Sequence, residues 1–147
     1  MILSACGRMR AGAVVAALLA TGATGSTVFS QDSQADLCVV SIGRGATGVG
    51  GATGTMTVRN AGRSCRIVNF SVPEQRVATT RLEIARPPAQ GRLAVINPNV
   101  VAYTPNPGYT GPDEFEYEGS GPGREGRPVP FSVRIQVRVV GPDGPLR

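Results

Sequence analysis

From Phe131 to Val139 the chain alternates strictly. Phe131, Val133, Ile135, Val137 and Val139 are apolar, and Ser132, Arg134, Gln136 and Arg138 between them are polar. Successive side chains of a strand point to opposite faces, so this run predicts a half-buried antiparallel strand with one wet face. Residues 113–118 repeat the pattern in shorter form. Phe115 and Tyr117 point inward, and Glu114, Glu116 and Glu118 point outward. A Gly/Pro-rich stretch, residues 119–128, joins the two segments and predicts a hairpin. Its outer face would set Glu116 and Glu118 against Arg134 and Arg138. Opposite charges across strands contribute a few tenths of a kcal/mol each and help to fix register.

Weaker alternation marks earlier strands at residues 37–42, 55–59, 65–70, 79–84, 92–96 and 100–104. Turn signals separate them. Residues 43–54 are rich in Gly and Thr and read as a loop, Asn60 to Arg63 as a turn, and Asn97-Pro98-Asn99 as another. No helical periodicity follows residue 30. Seven to eight short strands with regular turns predict an all-β, antiparallel β-sandwich or a small barrel. The length of 147 residues suits a single domain. High Gly (20) and Pro (12) with few aromatics fit short strands better than helices.

Residues 1–30 break this pattern and read as a cleaved signal peptide. Arg8 and Arg10 precede an apolar run, residues 11–20, and small residues follow it. Cleavage after Ala23 or after Ser30 fits the small-residue positions. The apolar run is too short for a good transmembrane helix. Leu3-Ser4-Ala5-Cys6 mimics a lipoprotein box, but its apolar stretch follows the cysteine instead of preceding it. A start at Met9 would remove Cys6 altogether. The mature part, 31–147, is therefore expected as one domain, secreted or periplasmic, with no membrane span.

Export changes the meaning of the cysteines. Cys38 and Cys65 remain in the mature chain, and two cysteines in an oxidising compartment favour a disulfide. The alternative is a pair of buried free thiols. A metal site from two cysteines without other soft ligands is not expected.

The net charge of +5 comes entirely from Arg, since the chain has no Lys. Removing Arg8 and Arg10 lowers it to +3, and the remaining Arg are scattered. That pattern argues against nucleic-acid binding. There is no His, which removes the commonest general base and metal ligand. A serine hydrolase would need Lys or a carboxylate as base. Glu114, Glu116 and Glu118 stay conceivable as paired carboxylates, but their place on an exposed strand face opposite arginines reads as structure. No enzyme activity, cofactor or metal site is expected. Asn69-Phe70-Ser71 fits a glycosylation sequon and reads as a chance match.

Residues 87–140 carry a run of linked motifs. They are Pro88, Gly91-Arg92-Leu93-Ala94-Val95, Tyr103-Thr104-Pro105, Pro107-Gly108-Tyr109-Thr110-Gly111, Asp113-Glu114-Phe115-Glu116-Tyr117 and the strand 131–139. In order and spacing this stretch resembles the cadherin-like, immunoglobulin-like modules of bacterial surface and secreted proteins. The resemblance implies an immunoglobulin-like sandwich in which Tyr103, Pro107, Gly108, Tyr109, Asp113, Phe115 and Tyr117 are turn and core residues. Asn106-Pro107-Gly108-Tyr109 suits a type II turn, with Pro fixing φ and Gly supplying positive φ. Such modules occur in tandem, whereas this chain has one copy and no internal repeat. Members that bind calcium use acidic clusters, and Asp113 alone cannot supply the six to eight or so oxygens needed.

The function expected is a non-catalytic binding or structural module of the cell envelope or extracellular space. Its partner would be an envelope protein or a polysaccharide. The alternative is a secreted immunoglobulin-like peptidase inhibitor, suggested by Asn106-Pro107, the Gly-rich run at residues 48–51, and Arg127-Pro128. Contacts are expected on the Glu/Arg sheet face and on the loops 43–54 and 119–128.

Overall fold

The computed structural model describes residues 34–43 and 51–147. The signal segment, Cys6, the two cleavage positions and residues 44–50 of the Gly-rich loop lie outside the described residues.

The described chain is almost entirely β. Ten strands follow in order: β1 Cys38–Ile42, β2 Ala52–Arg59, β3 Cys65–Val68, β4 Phe70–Val72, β5 Val77–Ala78, β6 Arg81–Arg86, β7 Gly91–Asn97, β8 Val100–Pro105, β9 Gly111–Pro122 and β10 Pro128–Val140. Two departures from the expected strand-only pattern are short. One helical turn, Gln34–Leu37, precedes β1, and a 3-10 turn, Pro73–Gln75, links β4 to β5. Proline at the start of that second turn pre-sets its φ.

The larger sheet has the order β1-β2-β10-β9-β6, and the smaller one β3-β8-β7. A small hairpin, β4-β5, stands apart. Every pairing is antiparallel except β2 with β10, which is parallel. The order β6-β9-β10 in one sheet and β3-β8-β7 in the other is the C-F-G and B-E-D order of the immunoglobulin topology. The strand count of ten exceeds the expected seven to eight. Asn69 splits the run 65–70 into two strands, and residues 77–78 form a further short one.

One apolar cluster joins both sheets. Met56, Val58, Leu82, Phe115, Tyr117, Val133, Ile135, Val137 and Val139 face Ile67, Leu93, Val101 and Tyr103. Tyr103 and Phe115 stack across the layers at a centroid distance of 5.4 Å. Such pairs add about 0.5–1.5 kcal/mol beyond their area burial. Cys38 of β1 and Cys65 of β3 form a disulfide, so the cross-link ties an edge strand of one sheet to an edge strand of the other. Both cysteines are buried in the same cluster.

The β9–β10 hairpin is longer than its alternation suggested. Pairing continues from Val139↔Gly111 to Pro128↔Pro122, and the turn shrinks to residues 123–127. Gly126 takes positive φ there, and its N–H donates to the Gly123 carbonyl at 3.0 Å. Gly119 and Gly121 lie inside β9 instead of in the loop because neighbours approach too closely for a side chain. A Cβ on Gly119 would sit 2.5 Å from the Arg81 carbonyl oxygen. At Gly121 it would sit 2.8 Å from the Ser71 side chain. Similarly, β2 begins at Ala52, so the Gly-rich loop ends earlier than expected.

The turn at Asn106-Pro107-Gly108-Tyr109 is type II, as expected. Gly108 has φ 74°, and the Tyr109 N–H donates to the Asn106 carbonyl at 3.1 Å.

Candidate functional site

Outward-facing residues of the larger sheet form a polar lattice. Thr53, Thr55 and Thr57 of β2 lie beside Arg134, Gln136 and Arg138 of β10. Across β10, Arg134 faces Glu116, and Gln136 faces Glu114. The register corrects one expected pair. Glu118 lies across from Ser132, and Arg138 across from Pro112, because the short turn at 123–127 sets the hairpin pairing.

This register distributes the ion pairs unevenly. Arg134 Nη2 lies 3.4 Å from Glu116 Oε2, and Arg86 Nη1 lies 2.6 Å from Glu114 Oε1. Arg81 pairs with Glu83 on the outer strand β6. Arg138 has no carboxylate or hydrogen-bond partner among the described residues. The carboxylates conceivable as a catalytic pair are thus spread along one open strand face, and two of the three are bridged to arginines. Exposed pairs of this kind contribute at most about 1 kcal/mol.

Beside Arg138 the face deepens into an open groove of about 860 Å3. Thr55 and Thr57 of β2 with Gln136 and Arg138 of β10 form its floor, and the β6–β7 connection, with Gln90, forms a wall. Tyr109 closes one end.

Asp113 fixes this wall. Its Oδ1 accepts from the Ala89 N–H at 2.9 Å and from the Glu114 N–H at 2.9 Å. Its Oδ2 accepts from the Gln90 N–H at 3.0 Å and from the Tyr103 hydroxyl at 2.8 Å. A carboxylate bound by this many donors has little remaining capacity for a ligand. The Gln90 carbonyl in turn accepts from the Asn106 N–H at 2.9 Å. The Tyr109 hydroxyl donates to the Pro112 carbonyl at 2.6 Å, which holds the ring at the rim. Asp113 and Tyr109, expected as structural residues, therefore also shape the groove. Gln90, Thr55 and Thr57 were not singled out by sequence. The threonines' signal was a period-2 run across the stretch read as a Gly-rich loop and a short strand, whereas Gln90 carried none.

Tyr103, Phe115 and Tyr117 are fully buried and belong to the core. Burial, and then the bond to Asp113, pushes the Tyr103 phenol well above its ordinary pKa. Burial does the same to Tyr117, partly offset by its hydrogen bond to Asn69. That bond places Asn69, 7 % exposed, deep in the structure. Its amide nitrogen donates to the Ile67 carbonyl at 3.2 Å. The sequon asparagine is thus committed to the interior of the folded domain.

Of the loops that suggested an inhibitor, residues 48–50 lie outside the described residues, and the other two flank β9. The Asn106-Pro107 turn precedes the start of β9, and Arg127-Pro128 follows its end. A strand of 12 residues spans roughly 40 Å.

The chain was compared with family models, with curated proteins and with solved structures. It matches none of them. Function therefore rests on this chain's own surfaces. Among the described residues no group of three or more His, Cys, Asp or Glu could hold a metal ion, and no helix is long and apolar enough to cross a membrane.

Proposed function

We propose that this chain is an exported, non-catalytic binding module of the cell envelope or extracellular space, akin to the cadherin-like and immunoglobulin-like modules that residues 87–140 resemble. The observation that carries the reading is the groove on the larger sheet. It is lined by hydroxyl, amide and guanidinium groups, with its carboxylates already engaged. This chemistry suits holding a polar partner and supplies neither a nucleophile with a base nor an acid–base pair across a cleft. The inter-sheet disulfide supports an oxidising compartment, and the apolar run at residues 11–20 supports export. The strand order supports the kinship with immunoglobulin-like modules as an architecture, which hosts many functions.

Two measurements test the proposal. The tagged full-length chain, expressed in its native host, is expected in the envelope or medium with residues 1–30 removed. A cross-linked pull-down from those fractions is expected to recover one envelope protein or glycan reproducibly. Full-length protein retained in the cytoplasm would overturn export. Loss of recovery on mutating the β4–β5 hairpin but not the groove would overturn the assignment of the binding face.

A further inference from the structure

Taking the groove as the binding face, we propose that its ligand is a carboxylate-bearing polysaccharide, a chain of uronic-acid type, with Arg138 as the residue that reads the carboxylate. The inference rests on the binding-module reading and adds the ligand class.

Charge decides first. Four charged residues line the groove: Arg86, Asp113, Glu114 and Arg138. Arg86 and Glu114 neutralise each other at 2.6 Å. The Asp113 carboxylate is taken up by the Tyr103 hydroxyl and three backbone N–H groups. The four formal charges sum to zero, but of these residues Arg138 alone has no hydrogen-bond or ion-pair partner among the described residues, so its donors are open to a ligand. Its neighbour across β10 is Pro112 and its neighbour on β2 is Thr57, neither of which can neutralise it. A guanidinium presents a planar fork of donors that matches a carboxylate, ideally through two parallel hydrogen bonds.

The rest of the floor is neutral and rich in hydrogen-bonding groups. Thr55, Thr57 and Gln136 offer hydroxyl and amide groups, and Gln90 adds a second amide from the wall. On a sheet these groups repeat about 4.8 Å apart across strands and about 6.7 Å apart along them. Such a lattice fits the repeated hydroxyls of an extended sugar chain. Pro87, Ala89, Pro112 and Tyr109 add apolar surface to the lining. The chain has no Trp. Ring stacking is therefore limited to Tyr109 at the rim, and recognition falls to hydrogen bonds and to the single charge. The open shape of the groove admits a segment within a polymer as well as a chain end.

The test uses calorimetric titration of the purified exported protein. Probes are oligogalacturonate, oligomers of alginate and hyaluronate, fully methyl-esterified oligogalacturonate, a neutral cello-oligosaccharide, and polyglutamate. At least one acidic oligosaccharide is expected to bind about tenfold or more tightly than the neutral probes, as loss of a charge-assisted hydrogen bond implies. Arg138→Gln is expected to remove that advantage, and Arg138→Lys to keep part of it. Arg92→Gln, on the outer surface of the smaller sheet, is expected to leave binding unchanged. Unaltered melting temperatures show that the variants fold.

Equal binding of acidic and neutral sugars would overturn the inference while leaving the groove a binding face. Equal or tighter binding of polyglutamate would overturn the sugar and keep only the charge. No binding of any acidic oligosaccharide, with a protein partner recovered in the pull-down, would overturn the ligand class and leave the binding-module reading intact.

Discussion

The Tyr103 hydroxyl donates a 2.8 Å hydrogen bond to Oδ2 of Asp113. Tyr103 belongs to β8 in the smaller sheet, and Asp113 to β9 in the larger. The bond therefore crosses from one layer to the other, and the same carboxylate holds the backbone of Ala89 and Gln90. One acidic residue thus fastens the two sheets and the connection between β6 and β7 at a single point.

Replacing Asp113 by Ala leaves a buried phenol and three backbone N–H groups without this acceptor. The expected loss is about 2–4 kcal/mol, since each abandoned donor costs about 1–3 kcal/mol and solvent can rescue those nearest the surface. Asp113→Asn keeps one acceptor oxygen and is expected to lose less. Urea denaturation with a shared slope checks both values. A loss below about 0.5 kcal/mol for Asp113→Ala, the scale of an ordinary surface substitution, would contradict this role.

The disulfide between Cys38 and Cys65 closes a separation of 27 residues. In the chain-entropy account, opening it lowers stability by about 3–4 kcal/mol. The double variant Cys38→Ser, Cys65→Ser is expected to show that loss on thermal unfolding. In the exported protein, neither cysteine is expected to react with a thiol reagent under denaturing, non-reducing conditions. One equivalent or more of reaction there would show that the bond does not form.

The tyrosines give a pH dependence of definite sign. Tyr103 and Tyr117 have folded-state pKa values raised above the ordinary value of about 10, mainly by burial. Their phenols stay protonated in the folded chain at pH values where the unfolded chain has lost those protons. The contribution is fully present below about pH 10 and is lost as pH rises beyond it. Stability is therefore expected to fall on the alkaline side. Tyr117→Phe is expected to make that fall shallower by the share of one proton, while being less stable at neutral pH because Asn69 loses its partner. An identical alkaline slope in the variant would rule out Tyr117 as a contributor.

Two glycines in neighbouring segments are expected to respond differently to alanine. At Gly108, φ is 74° and a Cβ would meet nothing within 4 Å, so the cost is the left-handed backbone alone, about 1 kcal/mol. Gly119 has no such φ, but its Cβ would press on the Arg81 carbonyl, the Leu82 side chain and the Phe131 ring. Gly119→Ala is expected to cost more, about 1–3 kcal/mol, and to loosen β6 from β9. Equilibrium unfolding gives the two costs, and amide exchange along β6 reports the loosening.

Alternation at 113–118 and 131–139 was enough to place the hairpin that forms the middle of the larger sheet. Residues such as Pro107 and Gly108 made the turn before it legible as well. Their signals are local, either a period of two or a fixed backbone preference. What the sequence hid was non-local. Gly119 and Gly121 read as loop punctuation because nothing near them in the chain reveals that β6 and the β4–β5 hairpin crowd against them. Thr53 of β2 suffered the same fate, since flanking glycines hid that the alternation at 55–59 begins earlier. The groove depended on register: one offset along the hairpin decided that Glu116, and not Glu118, lies across from an arginine of β10, and that Arg138 lies across from Pro112 and no carboxylate.

The parallel pairing of β2 with β10 bears on how the domain comes to exist. The strand that completes the larger sheet, joining β1-β2 to β9-β6, is the last one in the described chain. Nothing made earlier can substitute for it, so residues 52–127 must wait without their central partner until β10 is made. Contacts this distant in sequence also form slowly. The larger sheet is therefore complete only when β10 is in place.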